Sequence, residues 1–147
     1  MVGFYSPREA IGWSIISIEK RLPGEGMLAG QLVAAARFLG TAKIVVVVDK
    51  DVDVTNMTQV LHAMATRWQP HPASLIIPQT WTIPLDPSSP EMFVTSKIVI
   101  DATQQLRSEG GPVSWQPVSR VILEEKAPES FELVEKKWDE YWKEWNK

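Results

Sequence analysis

At 147 residues, 44% hydrophobic and 22% charged, the chain has the composition of one globular domain long enough to bury a core. Its net charge of −3 gives no electrostatic reason to expect nucleic acid, because a surface that tracks phosphates is basic. Cysteine is absent, which excludes disulfides and thiolate metal sites, and no apolar run approaches the ~20 residues that cross a bilayer.

The opening MVGFYSPREAIGW has no charged-then-apolar signal pattern, so a cytoplasmic location is the expectation. Residues 1–12 carry Gly3, Pro7 and Gly12 and read as a lead-in without a core pattern. Trp13 to Ile18 (WSIISI) is a strand candidate, closed by Glu19-Lys20-Arg21 and the Pro23-Gly24 break. From about Met27 to Leu39 the apolar residues Leu28, Leu32, Ala35, Ala36 and Leu39 fall at helical spacing, with Gly40 as a C-terminal stop. Ile44 to Val48 is a run of five β-branched residues, the pattern of a central strand covered on both faces. Acidic turn residues Asp49 to Asp53 end it. Asn56 then suits the N-cap of a helix, with Gln59 placed to complete a capping box. Val60, Leu61, Met64 and Trp68 give that helix an apolar face, and Pro70 and Pro72 close it.

Ala73 to Ile77 reads as a third strand and Lys97 to Ala102 as a fourth. Between them QTWTIPLDPSSP (79–90) holds three prolines and cannot be regular throughout. A rigid apolar loop beside the end of a strand suits the wall of a ligand pocket. In such sheets ligands usually sit at the carboxyl ends of the strands. A Gly110-Gly111-Pro112 turn leads into an irregular or edge-strand stretch to Leu123. Ser130 can cap a helix to about Trp145, with a stripe of Phe131, Val134, Trp138, Tyr141, Trp142 and Trp145. That helix either docks on its own domain or packs on another chain. The second reading rests on its three tryptophans, more aromatic surface than a small domain usually needs to cover, and the two readings stand level on the residues alone. The fold class expected is α/β: a three-layer α/β/α domain over 1–128 with a mainly parallel sheet, then a C-terminal amphipathic assembly helix over 129–147.

Motifs that carry chemistry are few. Asp49, Asp51 and Asp53 alternate like the start of a calcium loop, but the glycine after the third acid is missing and position twelve is Val60. A solvated turn is the simpler reading. Gly24-Glu25-Gly26 with Gly30 resembles a dinucleotide fingerprint, with Asp49 in the place of a ribose-binding acid. The third glycine comes one residue late, however, and Pro23 interrupts the turn. This leaves a stand-alone nucleotide-binding module as a competing reading. His62 and His71 have no second ligand at metal spacing, and neither a Ser-His-Asp set nor paired carboxylates can be assembled.

Five segments in order resemble the C-terminal domain of the UbiD family of decarboxylases: SIEKRLPGEG (17–26), AKIVVVVDKDVDVTN (42–56), VLHAMATRWQP (60–70), LIIPQTWTIPLDPSSP (75–90) and SKIVIDAT (96–103). His62 stands where the family pattern W-A-x-x-T-R has tryptophan. The resemblance implies a component of an enzyme that decarboxylates or carboxylates aromatic or α,β-unsaturated acids. It implies prenylated FMN with a divalent metal and potassium, all held on a larger catalytic partner chain, so this chain alone is expected to be inactive. The motif positions that would face the substrate are Thr41 and Lys43, at the start of the valine-rich strand, and Ile83 and Leu85 in the proline loop. Lys43 departs from the family, where a neutral residue can stand there. It either attracts an anion or snorkels to solvent. The family's terminal helix crosses a subunit boundary, which assigns Trp138, Trp142 and Trp145 to a partner interface in a homo- or hetero-oligomer. A non-catalytic assembly subunit is the remaining alternative.

Overall fold

The computed structural model describes residues 1–36 and 42–115, with 129, 132, 133 and 136–138 of the C-terminal part. The chain forms two compact units, Met1–Val113 and Ser114–Lys147. The first contains β1 (Gly3–Tyr5), β2 (Trp13–Ile18), α1 (Glu25–Ala35), β3 (Ile44–Asp49), α2 (Met57–Arg67), β4 (Ser74–Trp81), β5 (Val94–Asp101) and a 3-10 turn at Arg107–Glu109.

The five strands make one sheet in the order β1-β2-β3-β5-β4. β3 is parallel to both β2 and β5, whereas the outer pairs β1–β2 and β4–β5 are antiparallel. The fold is α/β, but the sheet is mixed, which corrects the expectation of a mainly parallel one. Both outer pairs follow short connections that hold no helix, residues 6–12 before β2 and the proline loop 82–93 before β5, and a short connection without a crossover returns the chain antiparallel. β1 lies in the stretch read from sequence as a patternless lead-in. Three residues are too few for an alternation to show.

Side-chain alternation divides the core in two. Val46, Val48, Ile15 and Ile100 pack with Val60 and Ala63 of α2. Val45, Val47, Ile16 and Val99 pack with Val33 and Ala34 of α1. Val45 to Val48 are all fully buried, as a β-branched run covered on both sides requires.

Helix α1 meets the sheet through a different face from the one its leucines suggest. Leu28 and Leu32 are 56% and 65% exposed, while Gly26, Gly30, Val33 and Ala34 are buried. A Cβ on Gly30 would sit 2.2 Å from Val99 Cγ1, and one on Gly26 would sit 2.3 Å from Asp101 Oδ2. The glycines let the helix backbone approach the sheet more closely than any side chain permits. Gly30→Ala is therefore expected to destabilise by about 1–3 kcal/mol through overpacking, although an exposed helix site would gain ~1 kcal/mol from the same change. Leu32→Ala should cost under ~1 kcal/mol, since surface changes are small. Urea unfolding of both variants checks the inversion. Leu39 and Gly40, the expected end of this helix, lie outside the described residues.

The Asn56 cap forms, its side chain accepting from the Thr58 and Gln59 amides. Gln59 does not close a capping box. Its carbonyl accepts instead from the Asp53 amide at 2.9 Å, and so organises the acidic turn. Val60 and Ala63 are buried, Met64 and Trp68 half-buried, and Leu61 is exposed.

In the second unit Glu129, Glu132, Leu133 and residues 136–138 are helical, and Leu133 and Trp138 are 52% and 57% exposed. Trp142, Trp145 and the stretch 116–123 lie outside the described residues. Among the described residues no helix is long and apolar enough to cross a membrane.

Candidate functional site

A cavity of about 200 Å³ opens at the amino ends of β2 and β3, the reverse of the end expected from doubly wound sheets. Ile11, Trp13, Lys43, Ile44, Ile83 and Leu85 line it, with Thr82, Asp86 and Pro87 beside them. Two features of the chain put it there. The Lys43 and Ile44 amides both donate to the Gly12 carbonyl, so the turn before β2 and the start of β3 form one floor. The antiparallel β4 delivers its following loop to the same edge, where the Thr82 amide donates to the Phe93 carbonyl at 3.1 Å. Three of the four residues singled out from sequence, Lys43, Ile83 and Leu85, thus meet around one cavity. Thr41 lies outside the described residues.

Lys43 faces this cavity, but it is not a lone cation. Its Nζ lies 3.0 Å from Asp86 Oδ2 and also meets the Ser88 hydroxyl. Asp86 further accepts from the Ser88 amide at 3.0 Å and the Ser88 Oγ at 2.7 Å. The bonds from Ser88, then that from Lys43, hold the Asp86 carboxyl well below the usual carboxylate range. A carboxyl whose pKa falls on folding stabilises the fold above its unfolded pKa and loses that contribution as pH drops through the folded value. The loop tie should thus persist to below the ordinary carboxylate range near ~4. A carbon-detected NMR titration of Asp86 should show no inflection between about pH 8 and 4. One near 4 would contradict the arrangement.

The carboxyl ends of the strands are closed by charge instead. The Lys20 side chain is 3% exposed, and its Nζ lies 2.6 Å from Glu109 Oε2, 3.8 Å from Asp101 Oδ2 and 3.0 Å from Thr103 Oγ1. Glu109 also accepts from the Gly24 and Leu106 amides at 2.6 and 2.7 Å. Burial acts to raise the Glu109 carboxyl, yet these donors together hold it below its ordinary value. On the same edge Arg67 pairs with Asp49 at 2.9 Å and with Asp51 at 2.7 Å. Burial pushes the Asp49 carboxyl up, against the Gln104 amide and Arg67, while the Arg67 bond pulls Asp51 down.

That arrangement bears on cofactors. A phosphate cradled by Gly24 and Gly26 at the start of α1 would meet the carboxylates of Glu25, Asp101 and Glu109. The Gly24 amide it needs is already given to Glu109. Asp49, the place of the ribose acid, is engaged by Arg67 and the Gln104 amide. Among the described residues no group of three or more His, Asp or Glu stands close enough to hold a metal ion. Among the described residues, those around Gly24 and Gly26 do not fit a flavin phosphate, and no carboxylate or histidine group fits a divalent metal.

Three comparisons bear on this geometry. The family model of the 3-octaprenyl-4-hydroxybenzoate carboxy-lyase C-terminal domain matches residues 1–102. Phenolic acid decarboxylase of Bacillus subtilis is 36% identical over 97 residues, which is 65% of this chain and 20% of that protein. Vanillic acid decarboxylase of Sedimentibacter hydroxybenzoicus, solved in a closed and an open form, superposes with a TM-score of 0.67 at 30% identity. The closed form is matched over 82% of this chain and 26% of that one. The UbiD-class enzyme HmfF of Pelotomaculum thermopropionicum, in complex with FMN, gives a TM-score of 0.58 at 29% identity, over 82% of this chain and 26% of that one. The chain spans about a quarter of the length of these solved relatives.

Proposed function

The chain belongs to the family of UbiD C-terminal domains, and from that membership we propose that it is the substrate-capping part of a carboxy-lyase. The flavin and the acid–base residues of that enzyme are held on a larger catalytic chain. In this reading the unit is a three-layer α/β/α cap that closes over the bound acid, drying the site and orienting the substrate.

The observation that carries the proposal is the half-built cavity. Its walls are apolar, yet Ile11 and Leu85 are 74% and 65% exposed, so the pocket is a concave face awaiting an opposing surface. Ile83 and Leu85 would meet the apolar body of an aromatic or α,β-unsaturated acid and exclude water from it. Thr41 would lie beside them at the start of β3. A flavin-bearing relative with bound FMN and a relative found both open and closed support a mobile cap over a flavin. Prenylated FMN, its divalent metal and potassium would all sit on the partner, as the family membership suggests. Trp138, with Trp142 and Trp145, would carry the contact that joins subunits.

A tagged pull-down from source cells, with mass spectrometry and a flavin absorbance spectrum, tests this directly. Recovery of a larger UbiD-like chain with bound flavin is expected. Recovery of the small chain alone and colourless would defeat the proposal. Calorimetry with NAD(H), NADP(H) and ATP should show no binding, given the carboxylates around Gly24.

A further inference from the structure

The ion pair at the cavity rim does more than tie down a loop. Lys43 and Asp86 both line the cavity, and the Lys43 side chain is 42% exposed, so a solute entering the cavity reaches the ammonium without disrupting the core. The two partners are unequally committed. Asp86 has donors besides the lysine: the Ser88 amide at 3.0 Å, the Ser88 hydroxyl at 2.7 Å and the Thr95 hydroxyl at 3.3 Å. Losing the ammonium would leave that carboxylate still hydrogen-bonded and at the surface. Among the described residues Lys43 has one partner besides Asp86, the Ser88 hydroxyl, and stands at the edge of the apolar walls formed by Ile11, Trp13, Ile44, Ile83 and Leu85. A cation beside an apolar cavity, covered by a carboxylate that can stand without it, is arranged for exchange of one carboxylate for another.

We propose that Lys43 determines specificity by carboxylate exchange: the carboxylate of an apolar acid in the cavity replaces Asp86 on the Lys43 ammonium, while Ser88 and Thr95 keep Asp86 satisfied. Asp86 is then an internal stand-in for the ligand. It keeps the site neutral when empty and makes neutral analogues poor competitors, because an uncharged acceptor bonds the ammonium less strongly than Asp86 does. The inference rests on the reading of the cavity as part of an acid-binding site.

The test uses the full chain and two isosteric probes, cinnamate and cinnamamide, followed by NMR at the Ile83 and Leu85 methyl groups. Cinnamate is expected to shift both methyls and to bind more tightly than cinnamamide. Asp86→Asn should tighten cinnamate by roughly fivefold, the upper range for a partly exposed ion pair, and tighten cinnamamide less. Lys43→Met should erase the preference for cinnamate over cinnamamide. Equal affinities for the two probes on the unaltered chain, no tightening in Asp86→Asn, or no shift at these methyls would each overturn the proposal. The outcome is separable from that of the capping role. Charge-dependent cinnamate binding with no flavin-bearing partner keeps Lys43 and removes the cap. An active flavin complex whose kcat/KM for its acid is unchanged by Lys43→Met keeps the cap and removes Lys43.

Discussion

If the capping role proposed above holds, Ile83→Asp is expected to leave the chain folded and bound to the proposed flavin-bearing partner while lowering kcat/KM of the complex by about 100-fold, roughly 2.7 kcal/mol of transition-state stabilisation. Ile83 is half-buried in the loop after β4, outside both halves of the core, so the substitution touches no packing that holds the sheet. What it changes is the cavity wall. A carboxylate there keeps water in the site and repels an anionic substrate from an apolar surface. Co-purification with the partner, followed by steady-state kinetics on the complex, separates three models. An assembly subunit without a working pocket shows unchanged binding and unchanged activity. A capping domain shows unchanged binding and lost activity. Lost binding would mean that the loop itself is the interface.

The second large effect falls on folding. Lys20→Met removes the cation from a cluster in which Asp101 is 2% and Glu109 12% exposed at the side chain. Breaking a buried ion pair by deleting one partner typically costs about 3–5 kcal/mol, because the remaining charges keep their desolvation penalty without compensation. Stability to urea should fall by that amount near neutral pH. Arg21→Ala is the matched control. Its pair with Glu19 is surface-bound, with side chains 75% and 44% exposed, and its loss should cost under ~1 kcal/mol. Equal losses for the two variants would show that the Lys20 cluster is not the clamp its geometry describes.

What the sequence made legible follows the strength of each local signal. β2 and β3 could be read from WSIISI and IVVVV because short isoleucine- and valine-rich runs bounded by charged and turn residues read as strands. The Asn56 cap was equally plain. The face of α1 was not, because hydrophobic periodicity weighs leucine heavily and treats glycine as a breaker. Here the glycines make the contact and the leucines face outward. The direction of β4 was hidden for another reason: ASLII looks the same whether its partner runs with it or against it. Only the absence of a helical pattern in 82–93 could have indicated a return. Lys43, Ile83 and Leu85 were located by motif resemblance, not by spacing. Asp86 was overlooked, although an acid in the same loop as two candidate pocket residues was the natural partner for a lysine. The Lys20 cluster joins groups far apart in the chain, the Gly24 amide and the Glu109 carboxylate being 85 positions apart, and no local pattern links them.

The outer strand β4 has a bearing on how the protein behaves at high concentration. It is an eight-residue strand on the free margin of the sheet, and Ile76 on it is 67% exposed, which would make it a template for strand addition between molecules. Its ladder is broken in the middle. Pro78 has no amide hydrogen to give, Gln79 sits at φ 48°, and the register shifts between Ile77 and Thr80. A second molecule attempting to zip along this margin finds only short, mismatched stretches on either side of the interruption. Cross-β growth is checked at the place where the sheet is otherwise most exposed to it.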